Sequence, residues 1–119
     1  MYQVTSIDHL QVWAQVLCNG ARYAVELGQH GMAYKMARAS LGVRQDILGP
    51  DGAVTLDSLD ILAEVLKLQG KYKQAEEINQ RALTGREKVL GVDHPDTLKS
   101  VSLLAAALQG QGSTKRRKR

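Results

Sequence analysis

Apolar residues recur at helical spacing in five stretches of this chain, parted by glycine-bearing turns. From Ile7 to Leu27 the stripe Leu10, Trp13, Ala14, Leu17, Ala21, Ala24 and Leu27 follows the i, i+3, i+4, i+7 rule of an amphipathic helix. Asn19-Gly20 falls inside it and weakens it, since glycine costs about 1 kcal/mol against alanine in a helix interior, but one helix, straight or bent, is expected. Gly28 and Gly31 bracket a turn. A second helix then places Met32, Ala33, Met36, Ala37, Ser40, Leu41, Arg44, Ile47 and Leu48 inward, and Gly49-Pro50-Asp51-Gly52 ends it. The third, Val54 to Gln69, is apolar on two sides: Leu59, Leu62, Ala63 and Leu66 form one stripe, Ile61, Val65 and Leu68 another. Asp57, Asp60, Glu64 and Lys67 are left as its polar face, so this helix is expected between two neighbours. A fourth helix begins near Tyr72 and packs through Tyr72, Ala75, Ile78, Ala82 and Leu83. In Gly91-Val92-Asp93-His94-Pro95-Asp96, Asp93 or His94 can cap a fifth helix and Pro95 suits its first turn. That helix is expected to end near Gln109, with a flexible segment after it.

These elements repeat. Residues 48–70 and 90–112, 42 apart, share 11 of 23 aligned positions without a gap. The same offset pairs Gly28 with Gly70, Ala33 with Ala75, Leu41 with Leu83 and Arg44 with Arg86. A period of this size marks stacked helical units, none of which buries its apolar face alone. The expected architecture is all-α, built of antiparallel helix-turn-helix units with about five helices. Residues 1–112 form the repeat domain, in units of about 6–47, 48–89 and a partial 90–112, and 113–119 form a basic, disordered tail.

Composition narrows the classes. With no Phe, one Trp and four Tyr among 119 residues, the core must be aliphatic and alanine-rich, which suits closely pressed helices. The formal charge of +4 suggests a polyanion binder until the charges are located. Five of the sixteen basic residues are the last five, Lys115, Arg116, Arg117, Lys118 and Arg119; the remaining eleven face twelve acidic ones. A lone Cys18 cannot form an internal disulfide, so a reducing compartment is expected. No apolar run is long enough to span a bilayer and no signal-peptide pattern opens the chain, which together predict a cytoplasmic protein without a membrane partner.

The run Leu62-Ala63, Leu66, Gly70-Lys71-Tyr72, Ala75-Glu76, Ala82-Leu83, Arg86-Glu87, Leu90-Gly91 and Asp93-His94-Pro95-Asp96-Thr97-Leu98 resembles the tetratricopeptide repeat. It is similar, more narrowly, to the 42-residue variety of kinesin light chains and of the arrays that follow nucleotide-binding modules in multidomain proteins. The resemblance implies a short right-handed superhelical array whose role is to hold another protein. Kinesin-light-chain-like units carry Asn-Asn before the Leu-Ala pair, facing the peptide groove; here those positions are Asp60-Ile61 and Ser102-Leu103, a departure from that mode of peptide binding.

Candidate chemistry is sparse. His9, His30 and His94 show no metal-ligand spacing, and no cofactor is expected. The stretch from Gly110 to Lys115 lacks the Gly-Lys-Ser/Thr order of a phosphate loop. No nucleophile and base are paired, so the expectation is a protein without catalysis. Three groups remain. Asp57, Asp60, Glu64 and Lys67, with Lys99 and Ser102 at or near the matching places of the fifth helix, are expected to line a groove for a partner peptide of mixed charge; the same spacing also suits a solvated helix face. Val101, Leu104, Ala105 and Leu108 repeat the inward stripe of the third helix without a following helix to cover them, which predicts an apolar end interface for a partner helix or for self-association. Lys115 to Arg119 reads as a nuclear-import or polyanion patch, although the aromatics that would stack nucleic-acid bases are missing nearby. The leading expectation is a protein-binding scaffold; the alternatives are a fragment of a multidomain NTPase-linked signalling protein, or a basic-tailed nuclear or RNA-associated adaptor.

Overall fold

Gly28, Gly49, Gly70 and Gly91 divide the chain at intervals of 21 residues, half the repeat, and all four take left-handed backbone angles with φ of 77°, 82°, 81° and 91°. A side chain there would meet the carbonyl that L-residues avoid, so glycine sets where each helix stops. The turns alternate between two kinds. After Gly28 and Gly70 the next amide reaches back five residues, Gln29 N to Ala24 O and Lys71 N to Leu66 O, both at 2.8 Å. At Gly49 and Gly91 the glycine amide itself closes on Gln45 O and Glu87 O. The first kind turns the chain within a unit and the second passes it to the next.

The computed structural model describes residues 7–117, with side chains from Asp8 to Gly110. Five helices follow in order: α1 (Ile7–Glu26), α2 (His30–Leu48), α3 (Ala53–Leu68), α4 (Tyr72–Leu90) and α5 (Pro95–Arg117). Among the described residues there is no strand. Each helix packs on its neighbours in sequence; α1 also touches α3, and α3 touches α5, whereas α2 and α4 do not meet. The odd-numbered helices thus form one continuous side and the even-numbered ones the other. No described helix is long and apolar enough to cross a membrane.

The core runs through α3. Leu59, Leu62, Ala63 and Leu66 cluster with Ala75 and Ala82 of α4, Ala107 of α5 and Cys18, Ala21, Ala37 and Leu41 of the first unit. Ala33, Ala75 and Ala82 have no exposed surface, so these helices cross with only a methyl group between their backbones. Ile78 is half-buried against this cluster.

α1 is one helix, as its stripe predicts, and a Cβ at Gly20 would stand 2.9 Å from the sulfur of Met36 on α2. Three expectations need correction. Trp13 and Leu27 of α1 lie 54% exposed, and Met32 and Leu48 of α2 are also exposed. With α1 packed chiefly on α2, its buried stripe narrows to Ala14, Cys18, Ala21 and Ala24. Leu68 turns outward from α3. Finally, α5 continues past Gln109 to Arg117, taking in residues 113–117 of the expected tail; the Tyr72 ring lies against Gly110 where a Cβ would clash. Gln, Lys and Arg are good helix formers and no proline interrupts them, so the packed segment propagates. Lys118 and Arg119 of the basic run lie outside the described residues.

Candidate functional site

The continuous side of odd-numbered helices holds a concavity of about 330 Å³. Asp57, Asp60, Glu64 and Lys67 line it from α3, Arg22 reaches it from α1, and Lys99 from α5. The sequence groups the four α3 side chains by their spacing and offers Lys99 and Ser102 beside them, and the fold brings Lys99 to the same concavity. Ser102 is exposed and not part of the lining. Arg22, Asn79 and Leu103 also border the space. No local pattern singles out these three, because they come from neighbouring helices.

Beneath this face the repeat places a buried arginine in each unit. Arg44 of α2 and Arg86 of α4 are 4% and 3% exposed. Arg44 donates from Nη1 to Ser58 Oγ of α3 at 2.7 Å and from Nη2 to Gln15 Oε1 of α1 at 2.8 Å. Arg86 donates from Nη1 to Ser100 Oγ of α5 at 2.6 Å and from Nη2 to Asp57 Oδ1 of α3 at 3.0 Å. The partners are themselves 42 apart: Ser58 and Ser100, Gln15 and Asp57. Each guanidinium therefore ties the first helix of its own unit to the first helix of the next. The second bridge is ionic, because Asp60 Oδ2 also stands 2.8 Å from Arg86 Nη1. In the first unit Cys18 occupies the place of Asp60.

This network changes the charge of the groove. Of its three carboxylates, Asp57 and Asp60 are engaged by Arg86, and Glu64 is exposed without taking part in that network. Burial pushes the Asp60 carboxyl above its ordinary value of 3.8, against the opposing pull of Arg86 and of Lys99. Asn79, 4% exposed, donates from Nδ2 to Leu103 O at 3.2 Å, which fastens α4 to the α5 backbone beside the concavity.

At the far end, Leu98, Val101 and Leu108 of α5 are 54%, 48% and 47% exposed, Ala105 is exposed and Leu104 half-buried. Their counterparts on α3, Leu56, Leu59 and Leu66, are each at most 3% exposed. Between α3 and α5 the difference is the cover of α4. Where α5 begins, His94 Nδ1 accepts the Asp96 amide at 3.1 Å, the capping role expected for it. Among the described residues no group of three or more His, Cys, Asp or Glu is placed to hold a metal.

Residues 55–96 match the family model of the tetratricopeptide repeat. The matched stretch is one 42-residue period, covering α3, α4 and the entry to α5, and it supports a tetratricopeptide-repeat protein. Such repeats are generally non-catalytic modules for protein–protein interaction. No curated protein matches the chain.

Proposed function

We propose that this protein is a non-catalytic scaffold that holds an extended segment of a partner protein along the side formed by α1, α3 and α5. The observation that carries the reading is the concavity in which Glu64, Lys67, Lys99 and Arg22 offer both signs of charge over the Arg86 bridge. A segment of alternating charge suits such a lining, and its specificity rests on several weak contacts rather than one. The 42-residue period also supports kinship with the kinesin-light-chain-like variety, but with Asp60-Ile61 and Ser102-Leu103 in place of its asparagines the contacts differ from that variety's.

The test avoids Asp57 and Asp60, whose loss would disturb Arg86. A photo-crosslinking residue at Lys67 is expected to capture the partner, and one at Glu77 on α4 is not. The captured partner should then bind a Glu64→Ala, Lys67→Ala, Lys99→Ala variant about tenfold more weakly, the sum of three exposed charge contacts. Equal capture from both positions would reject the groove as the binding face.

A further inference from the structure

The two arginine bridges state what a helix covering α5 must look like. In each unit the bridging arginine of the even-numbered helix meets the odd-numbered helix before it: Arg44 meets Gln15 in the first unit, and Arg86 meets Asp57 and Asp60 in the second. On α5 the same two positions, 42 residues on, are Lys99 and Ser102. The chemistry has inverted. Arginine has five donors and no acceptor, and it is satisfied where Asp57 and Asp60 only accept. Lysine is likewise donor-only, so an arginine brought over α5 in the same register would face a like charge in a closing interface. A carboxylate there would accept from both the Lys99 ammonium and the Ser102 hydroxyl.

The rest of the register is equally explicit. The face of α5 formed by Leu98, Val101, Leu104, Ala105 and Leu108 stands where α3 receives α4. α4 enters that contact with small residues, Ala75 and Ala82, and places its arginine four residues after the second. We propose that the exposed face of α5 is the docking site for an amphipathic helix of another protein, with small residues at i and i+7 and a carboxylate at i+11 that pairs with Lys99. The apolar stripe supplies the area and the charge at i+11 supplies the selection. Lys99 borders both this surface and the groove, but the apolar stripe lies outside the groove's lining, so the paired leucine replacements separate the two assignments.

The α4 segment itself, Tyr72–Leu90 as a synthetic peptide, is the natural probe, used as it stands and with Arg86→Glu. Against the full-length protein, the Arg86→Glu peptide is expected to bind about tenfold more tightly than the unaltered one, the effect of exchanging repulsion for attraction at one close pair. Against a Lys99→Glu protein the preference should reverse; because each peptide is compared on both proteins, its own helix propensity cancels. A Leu104→Glu, Leu108→Glu protein should bind neither. Lys99 is exposed, so its replacement leaves the core intact, and circular dichroism of both variants confirms the helices. Three results would each overturn the proposal: no binding of either peptide at millimolar concentration, a preference that Lys99→Glu leaves unchanged, or binding that survives the paired leucine replacements. Sedimentation of the parent alone completes the test. A dimer that the leucine replacements dissolve would assign the face to a second copy and exclude a foreign helix, whereas a monomer is the expected result.

Discussion

The Arg44 and Arg86 bridges occupy the same place in two successive units, and they differ in what surrounds an identical guanidinium. Around Arg44 the partners among the described residues are Ser58, Gln15 and the Val54 carbonyl, all neutral. Around Arg86 they are Ser100 and two carboxylates, one of them shielded from water. The arginine and the serine are the constant part and join consecutive odd-numbered helices. The residues at 15 and 18, 57 and 60, 99 and 102 are the variable part, and they set the charge of the face above. One scaffold thus carries a neutral unit, an acidic unit and a basic end without any change in how its helices are spaced.

The largest expected effect comes from breaking the ionic bridge. Arg86→Ala should cost about 3–5 kcal/mol, because it leaves the Asp60 carboxylate buried without its counter-charge. Arg44→Ala should cost only about 1–3 kcal/mol, the loss of hydrogen bonds to a charged group with no stranded charge left behind. Urea unfolding of the two variants measures both, and equal losses would mean that the carboxylates are not what separates the units. Adding Asp60→Asn to Arg86→Ala should recover part of the loss, with a coupling of about 1–3 kcal/mol between the two positions.

Smaller effects probe what the units share. Ala33→Leu and Ala75→Leu stand at equivalent, fully buried crossings, and each should cost about 1–3 kcal/mol by overpacking. A tolerated leucine at either position, seen as an unchanged melting temperature, would show that the two crossings are not equivalent.

The acidic unit should also respond to pH where the neutral one does not. Because the native pKa of Asp60 is raised, the folded state holds this proton more tightly than the unfolded chain does. Its contribution to stability is fully present below the ordinary value of 3.8 and is lost as pH rises through the native value. Asp60→Asn should remove that decline from the variant's own stability curve, so that the difference between variant and parent changes across the window; a flat difference curve would contradict the burial effect. At the low end of the scale, Lys88 joins Asp51 at 3.0 Å across an exposed surface, and Lys88→Ala should cost less than about 1 kcal/mol by thermal unfolding.

Helix number and order were legible because leucine and alanine spacing and the four glycines agree on them. The sides of α1 and α2 were less so: Trp13, Leu27, Met32 and Leu48 satisfy the helical period but lie outside the covered part of these helices, where apolar character does not distinguish covered from bare. The groove was half legible. Asp57, Asp60, Glu64 and Lys67 share a face by spacing alone, but that Arg86 neutralises the first two depends on α4 passing behind them. A buried arginine reads like a surface one in a single sequence. Its signal lay in the recurrence of Arg44 with Arg86 and Ser58 with Ser100 at one offset, a polar recurrence where apolar ones were being sought. The helical continuation of α5 through residues 110–117 was hidden by two glycines, which lower helix propensity without forbidding it.

The alternation of touching and non-touching helices also governs how this chain comes apart. Since α2 and α4 never meet, each even-numbered helix is held, among the described residues, by the two helices adjacent to it in sequence. Folding in such a chain proceeds by local closures and is correspondingly fast. Opening proceeds from the ends. Amide hydrogens in α3 and α4 should exchange through the rarest openings and those in the outer turns of α1 and α5 through the most frequent, a gradient of protection centred on Leu62.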